Sequence, residues 1–135
     1  KLSPKLLRQR SEYYAQALGL GDKLQAEVGT YSKGMRQKLG IAMTLVHDPE
    51  VVLLDEPAAG LDPRYTRLLK EWVRNLSQSG HTVLLSTHIT EMAASLCDRI
   101  AIIDNGRLLS VGTVPELLAA TSCSSLEDAF IRLVG

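Results

Sequence analysis

The chain has 135 residues, enough for one domain with a buried core, and its fifteen basic residues balance fifteen acidic ones. That balance, with only 4% aromatic residues, argues against nucleic acid as a partner: there is neither a basic field nor a row of stacking platforms. The apolar runs fall far short of the roughly 18 residues that cross a bilayer, and Cys97 and Cys123 lack the short spacing of a zinc or redox pair, which suits a reducing compartment.

Ser3-Pro4 predicts the first helix: a capping hydroxyl, then proline at the first helical position. Leu6, Leu7, Tyr14 and Leu18 keep rough helical spacing, and Gly19 or Gly21 ends it. A second helix starts near Ser32 and stops before Asp48-Pro49, with Leu39, Ala42, Met43 and Val46 as its apolar stripe. Val51 to Asp55 reads as a buried strand. Asp62-Pro63 then opens a helix whose buried face is Leu68, Leu69, Trp72, Val73 and Leu76. The stretch "HTVLLSTH" is a second buried strand, followed by a helix from Ile89 to Leu96. "RIAIIDNGRLLSVG" predicts a hairpin about Asn105-Gly106, and two short helices follow, Val114 to Ala120 and Leu126 to Val134.

Strands alternating with helices of this length predict an α/β fold: a parallel sheet with crossover helices, and a helical lobe formed by the opening pair. The first residue is Lys1 rather than Met, on the approach to a helix, so the chain is expected to be a piece of a longer protein.

In an open parallel sheet, function gathers at the carboxyl ends of the strands. Here one strand ends in Asp55-Glu56 and the next in Ser86-Thr87-His88. An Asp at such a tip can hold Mg²⁺ through waters while the metal bridges phosphate oxygens. A neighbouring Glu can polarise an attacking water, and a histidine can bond a terminal phosphate oxygen. Together they describe phosphoanhydride hydrolysis, where catalysis is positioning and electrostatics. Singly, each residue has a blander reading: a solvated Asp, or a hydrogen-bonded structural His. The combination across two strands favours chemistry.

"YSKGMRQKLGIA" is a second constellation. Ser32 at a helix N-terminus, Gly34 two residues on, and the cations Lys33 and Arg36 can make an anion site. Spacing alone favours Ser32 as an ordinary N-cap with its cations solvated. Asp62 in "AAGLDP" is fully explained as a cap.

In order and spacing, these motifs resemble the nucleotide-binding domain of ATP-binding cassette (ABC) transporters. "YSKGM" is similar to the family signature, "VVLLDEP" to its Walker B strand, "AGLDP" to its D-loop and "STH" to its switch-histidine loop. "YSKGM" and "SLEDAFIRL" look most like the ATPases of ABC-2-type exporters. The resemblance implies a partial P-loop NTPase core: residues 1–48 as helical subdomain with the signature, and 49–135 as the C-terminal part of the RecA-like core. By position it makes Asp55 the Mg²⁺ aspartate, Glu56 the general base and His88 a γ-phosphate contact. Asp62 becomes a residue of dimer communication. Ser32, Lys33 and Gly34 become the signature, meeting ATP held by the opposite subunit. It implies ATP and Mg²⁺, a second nucleotide-binding domain, transmembrane permease subunits, and a cytoplasmic place on the inner face of the membrane. Lys33 and Met35 depart from the commonest signature, which has glycine and glutamine there.

No G-x-x-x-x-G-K-[ST] loop occurs in the sequence. The chain is therefore expected to carry hydrolytic carboxylates without its own phosphate cradle, to be inactive alone, and to expose an apolar sheet edge. Two rivals stand beside this reading. A phospho-receiver domain would need an acidic pair on an earlier strand and a lysine ending a later one, and neither is present. A non-catalytic interaction module of the same fold would have lost nucleotide binding.

Overall fold

A computed structural model describes residues 2–60 and 62–135. Leu61, within the "AGLDP" stretch, lies outside the described residues. The chain divides into two compact units, Lys1–Ser86 and Thr87–Gly135.

The first unit opens with α1, Pro4–Ala17, capped as its sequence predicts: Ser3 Oγ accepts from the amide of Leu6 at 3.3 Å. Gly19, at φ +69°, turns the chain after the helix. Two single 3₁₀ turns, Gly21–Lys23 and Val28–Thr30, lead into α2, Lys33–Leu45. Ala15, Leu20 and Tyr31 form a small core there, with Met35 and Leu39 packed against it. The Tyr31 hydroxyl, too polar to be buried unpaired, donates to the carbonyl of Lys23 at 2.7 Å.

One predicted stripe is wrong by a residue. α2 buries Ile41, Ala42 and Leu45, and its C-cap Val46 is buried with them, but Met43 is 64% exposed. The pairs Ile41–Leu45 and Ala42–Val46 are each four apart and form two adjacent ridges. Met43 lies about 100° further round the helix from Ala42.

Arg10 ties α1 to the end of α2. It donates to the carbonyl of Val46 at 3.1 Å and pairs with Asp48 at 2.7 Å. His81 Nδ1 sits 2.7 Å from the carbonyl of Pro49. A carbonyl can only accept, so that nitrogen carries the proton.

The strands β1, Val51–Asp55, and β2, Thr82–Ser86, pair in parallel with Val51 opposite Thr82 and Asp55 opposite Ser86. Helix α3, Pro63–Gln78, makes the crossover. It buries Tyr65, Leu69, Trp72, Val73 and Leu76. Tyr65 thus takes a core place, while Leu68 is only half-buried. Trp72 meets Tyr14 of α1 edge to face, 5.9 Å between ring centroids.

The strands are covered on one face only, which corrects the expectation that both are fully buried. Val52 and Leu54 are inside, whereas Val51, Leu53 and Leu84 are 55%, 68% and 66% exposed. Side chains alternate across a strand, so one apolar face of this pair lacks a covering layer among the described residues.

In the second unit, α4 (Thr90–Leu96) precedes the hairpin of β3 (Ile100–Asp104) and β4 (Arg107–Gly112). Asn105 and Gly106 both have positive φ, +46° and +75°, as the tight turn of such a hairpin requires. α5, Val114–Thr121, starts with a capping box in which Thr113 and Glu116 satisfy each other's amides. α6, Leu126–Val134, has the bounds its sequence predicts. Ile102, Leu117 and Leu126 form the core of this unit. Among the described residues no helix is long and apolar enough to cross a membrane.

Candidate functional site

The carboxyl edge of the parallel pair is where β1 delivers Asp55 and β2 delivers Ser86. The shared register sets the two side by side, and the Ser86 hydroxyl donates to Asp55 Oδ1. The next residue, Glu56, leaves the strand at φ +42°. A residue with a Cβ avoids that region by about 1–2 kcal/mol, so something must hold it. Its amide donates to both the carbonyl and the hydroxyl oxygen of Ser86, at 3.1 and 3.2 Å. Its carbonyl accepts from the amide of Ala59 at 3.1 Å. Pro57 and Ala58 behind it are buried, and Gln37 of α2 donates to the carbonyl of Pro57 at 2.6 Å. Two carboxylates thus leave one strand tip on a braced loop. Asp55 is solvent-exposed, and Glu56 Oε2 is buried.

The N-terminus of α2 lies in the same unit. Ser32 caps it, its Oγ accepting from the amide of Met35 at 3.2 Å, which is the cap that spacing favours. Arg36 turns back to donate to the carbonyl of Tyr31. Lys33 reaches toward Gly60: a Cβ built there would lie 2.9 Å from its Nζ. Gly60 also sits at φ +68°, a conformation glycine adopts without strain. Asp62 caps α3, Oδ1 accepting from the amide of Tyr65 at 3.0 Å.

His88 belongs to the second unit and is exposed. Thr87 Oγ1 accepts from the amide of Ile89 at 3.1 Å, forming a tight turn around it.

One contact and two residues of this region escape sequence reasoning. Ser86 is visible as a strand-end hydroxyl, but its bond to Asp55 depends on the β1–β2 register. Gln37 stands in a helical run and carries no compositional signal. Tyr65 packs 5.5 Å beneath the ammonium of Lys38, and its hydroxyl has no hydrogen-bond partner among the described residues. Burial pushes its ionisation up to about 12. Among the described residues no group of three or more His, Cys, Asp or Glu could hold a metal.

Comparison with known proteins identifies the fold and the family. A solved structure titled as the ATP binding subunit of an ABC transporter superposes on 99% of the chain with a TM-score of 0.89 at 30% identity, over 57% of its own length. The fold is therefore that of an ABC-type P-loop ATPase. The family described as "AAA domain, putative AbiEii toxin, Type IV TA system" matches residues 6–93. The ABC transporter ATP-binding protein NatA of Bacillus subtilis is 34% identical over 125 residues, covering 93% of this chain and 51% of NatA. The daunorubicin/doxorubicin resistance ATP-binding protein DrrA of Streptomyces peucetius is 43% identical over 126 residues, covering 93% of this chain and 37% of DrrA. The chain belongs to this AAA-domain family and, within it, to the ATP-binding proteins of ABC transporters. It spans about half or less of the length of these curated relatives. A phospho-receiver is excluded by the same findings.

Proposed function

We propose that this chain is the part of an export-type ABC ATPase, of the ABC-2 class, that supplies the hydrolytic carboxylates and the signature. The observation that carries the reading is the strand-tip cluster in which Ser86 braces both Asp55 and the backbone of Glu56. Residues 1–48 act as the helical subdomain and 49–135 as the C-terminal part of the catalytic core.

Asp55 suits Mg²⁺ because that ion takes one or two carboxylates and fills its remaining positions with water and phosphate. When bound, Mg²⁺ neutralises charge on the β- and γ-phosphates of ATP. Glu56 accepts the proton of the attacking water, and His88 donates to the γ-phosphate. Ser32, Lys33 and Gly34 approach ATP held by the opposite subunit, where the start of α2 offers free amides and a positive dipole end. Asp62 lies on the route between the two subunits. The working protein pairs two such domains head to tail beneath transmembrane permease subunits, on the cytoplasmic face of the membrane.

Without a Gly-rich lysine loop, this chain alone has no strong hold on the phosphates. Isothermal titration of the 135-residue chain with MgATP is expected to show no micromolar binding. Micromolar affinity would overturn that division of labour. In the full-length protein, Asp55→Asn raises the Mg²⁺ concentration needed for half-maximal turnover, and an unchanged requirement removes Asp55 from the metal.

A further inference from the structure

Gln37 stands on α2, the helix whose first residues carry the signature, and its side chain leaves that helix for another element. Its Nε2 donates to the carbonyl of Pro57 at 2.6 Å and lies 3.5 Å from that of Glu56. The segment it grips is the one in which Glu56 holds a left-handed conformation, φ +42°. A residue with a Cβ persists there only where its surroundings over-determine it. β2 supplies one side of that restraint through Ser86, and Gln37 supplies the other from α2.

We infer that Gln37 is a positioning residue for Glu56, linking the start of α2 to the hydrolytic carboxylate of the same chain. The inference rests on the roles proposed above for Ser32, Gly34 and Glu56. On those roles, one chain contacts its partner's ATP through the N-terminus of α2 and works on its own ATP through Glu56. A shift of α2 on meeting one nucleotide is then passed by the Gln37 amide to the Glu56 loop at the other. A hydrogen bond suits this transfer because it holds direction as well as distance. Glutamine also brings two donors to a place where the targets are carbonyls, which only accept.

The test uses Gln37→Met, which keeps the length and loses the donors, and Gln37→Lys, which keeps a donor. In the 135-residue chain without nucleotide, Gln37→Met is expected to speed amide exchange at Glu56, Ala58 and Ala59 by roughly tenfold, with the thermal midpoint little changed. In the full-length protein it lowers kcat about tenfold with KM for ATP within about twofold, and Gln37→Lys restores most of the loss. In a Glu56→Gln background, Gln37→Met removes nothing further, because both act through one group. Should Gln37→Met unfold the chain, Gln37→Leu takes its place with the same expectations. Unchanged exchange and unchanged kcat, in a protein that Glu56→Gln inactivates, would overturn this inference alone. A protein that keeps its turnover as Glu56→Gln would overturn the site assignment, and the inference with it.

Discussion

The hydroxyl of Ser86 donates to the carboxylate of Asp55 across the first parallel pairing of the fold. The same oxygen accepts from the amide of Glu56. One side chain on β2 therefore fixes both the end of β1 and the start of the loop after it. Ser86→Ala is expected to cost about 1 kcal/mol, the usual net worth of a hydrogen bond, while Ser86→Thr stays near wild type. Urea unfolding followed by Trp72, the single tryptophan and a residue of the first unit, measures this. An unchanged midpoint for Ser86→Ala would show that the hydroxyl does not brace the site.

Tyr65 gives a pH signature. Its hydroxyl is buried without a partner among the described residues, and burial lifts its ionisation from 10.0 to about 12. The folded chain therefore prefers the neutral phenol. Its contribution is complete below pH 10, where the unfolded state also keeps the proton, and is lost as pH rises from 10 to about 12. Tyr65→Phe leaves no group to titrate. It is expected to match or exceed wild type at neutral pH, by up to about 1 kcal/mol, and to lose less stability above pH 10. Parallel losses in the two proteins between pH 10 and 12 would contradict this.

These two residues also mark how far the sequence can be read. Caps and turns were legible because their chemistry is local: Ser3, Ser32, Asp62 and Asn105-Gly106 each do what their neighbours demand. The order of helices and strands was legible from periodicity. Met43 and Leu68 fall outside the buried stripes expected of them because a stripe of period 3.6 leaves its edges open until a partner element arrives. The one-sided burial of β1 and β2 was hidden for a related reason. A continuous apolar run looks the same whether one face is covered or two. At the site, Asp55, Glu56 and His88 stood out as reactive types at strand ends. Gln37 and the double bond of Ser86 did not, since both depend on contacts between residues about twenty to thirty apart.

The uncovered face of the parallel pair predicts self-association. Val51, Leu53 and Leu84 are exposed side by side on it. Leu53→Thr with Leu84→Thr keeps β-propensity while removing apolar surface. Sedimentation velocity of the 135-residue chain is expected to show association in the parent and a shift toward monomer in the double variant. Monomer in both would mean that this face is not sticky in solution.

The capping box of α5 predicts an acid limit for the second unit. The amide and hydroxyl of Thr113 hold the Glu116 carboxyl below its ordinary range. That bracing is present above the ordinary carboxylate range and fades as pH falls through the lowered value. The amide resonance of Thr113 should therefore move only at acid pH, and Glu116→Gln should abolish the movement. A titration persisting in Glu116→Gln would assign it to another group.

The proposed hydrolysis depends on Glu56. Glu56→Gln in the full-length protein removes the proposed base while leaving the loop's backbone hydrogen bonds intact. With MgATP it is expected to lose turnover and to accumulate as an ATP-bound dimer, seen by size exclusion with light scattering. A variant that hydrolyses ATP at the wild-type rate and stays monomeric would contradict it.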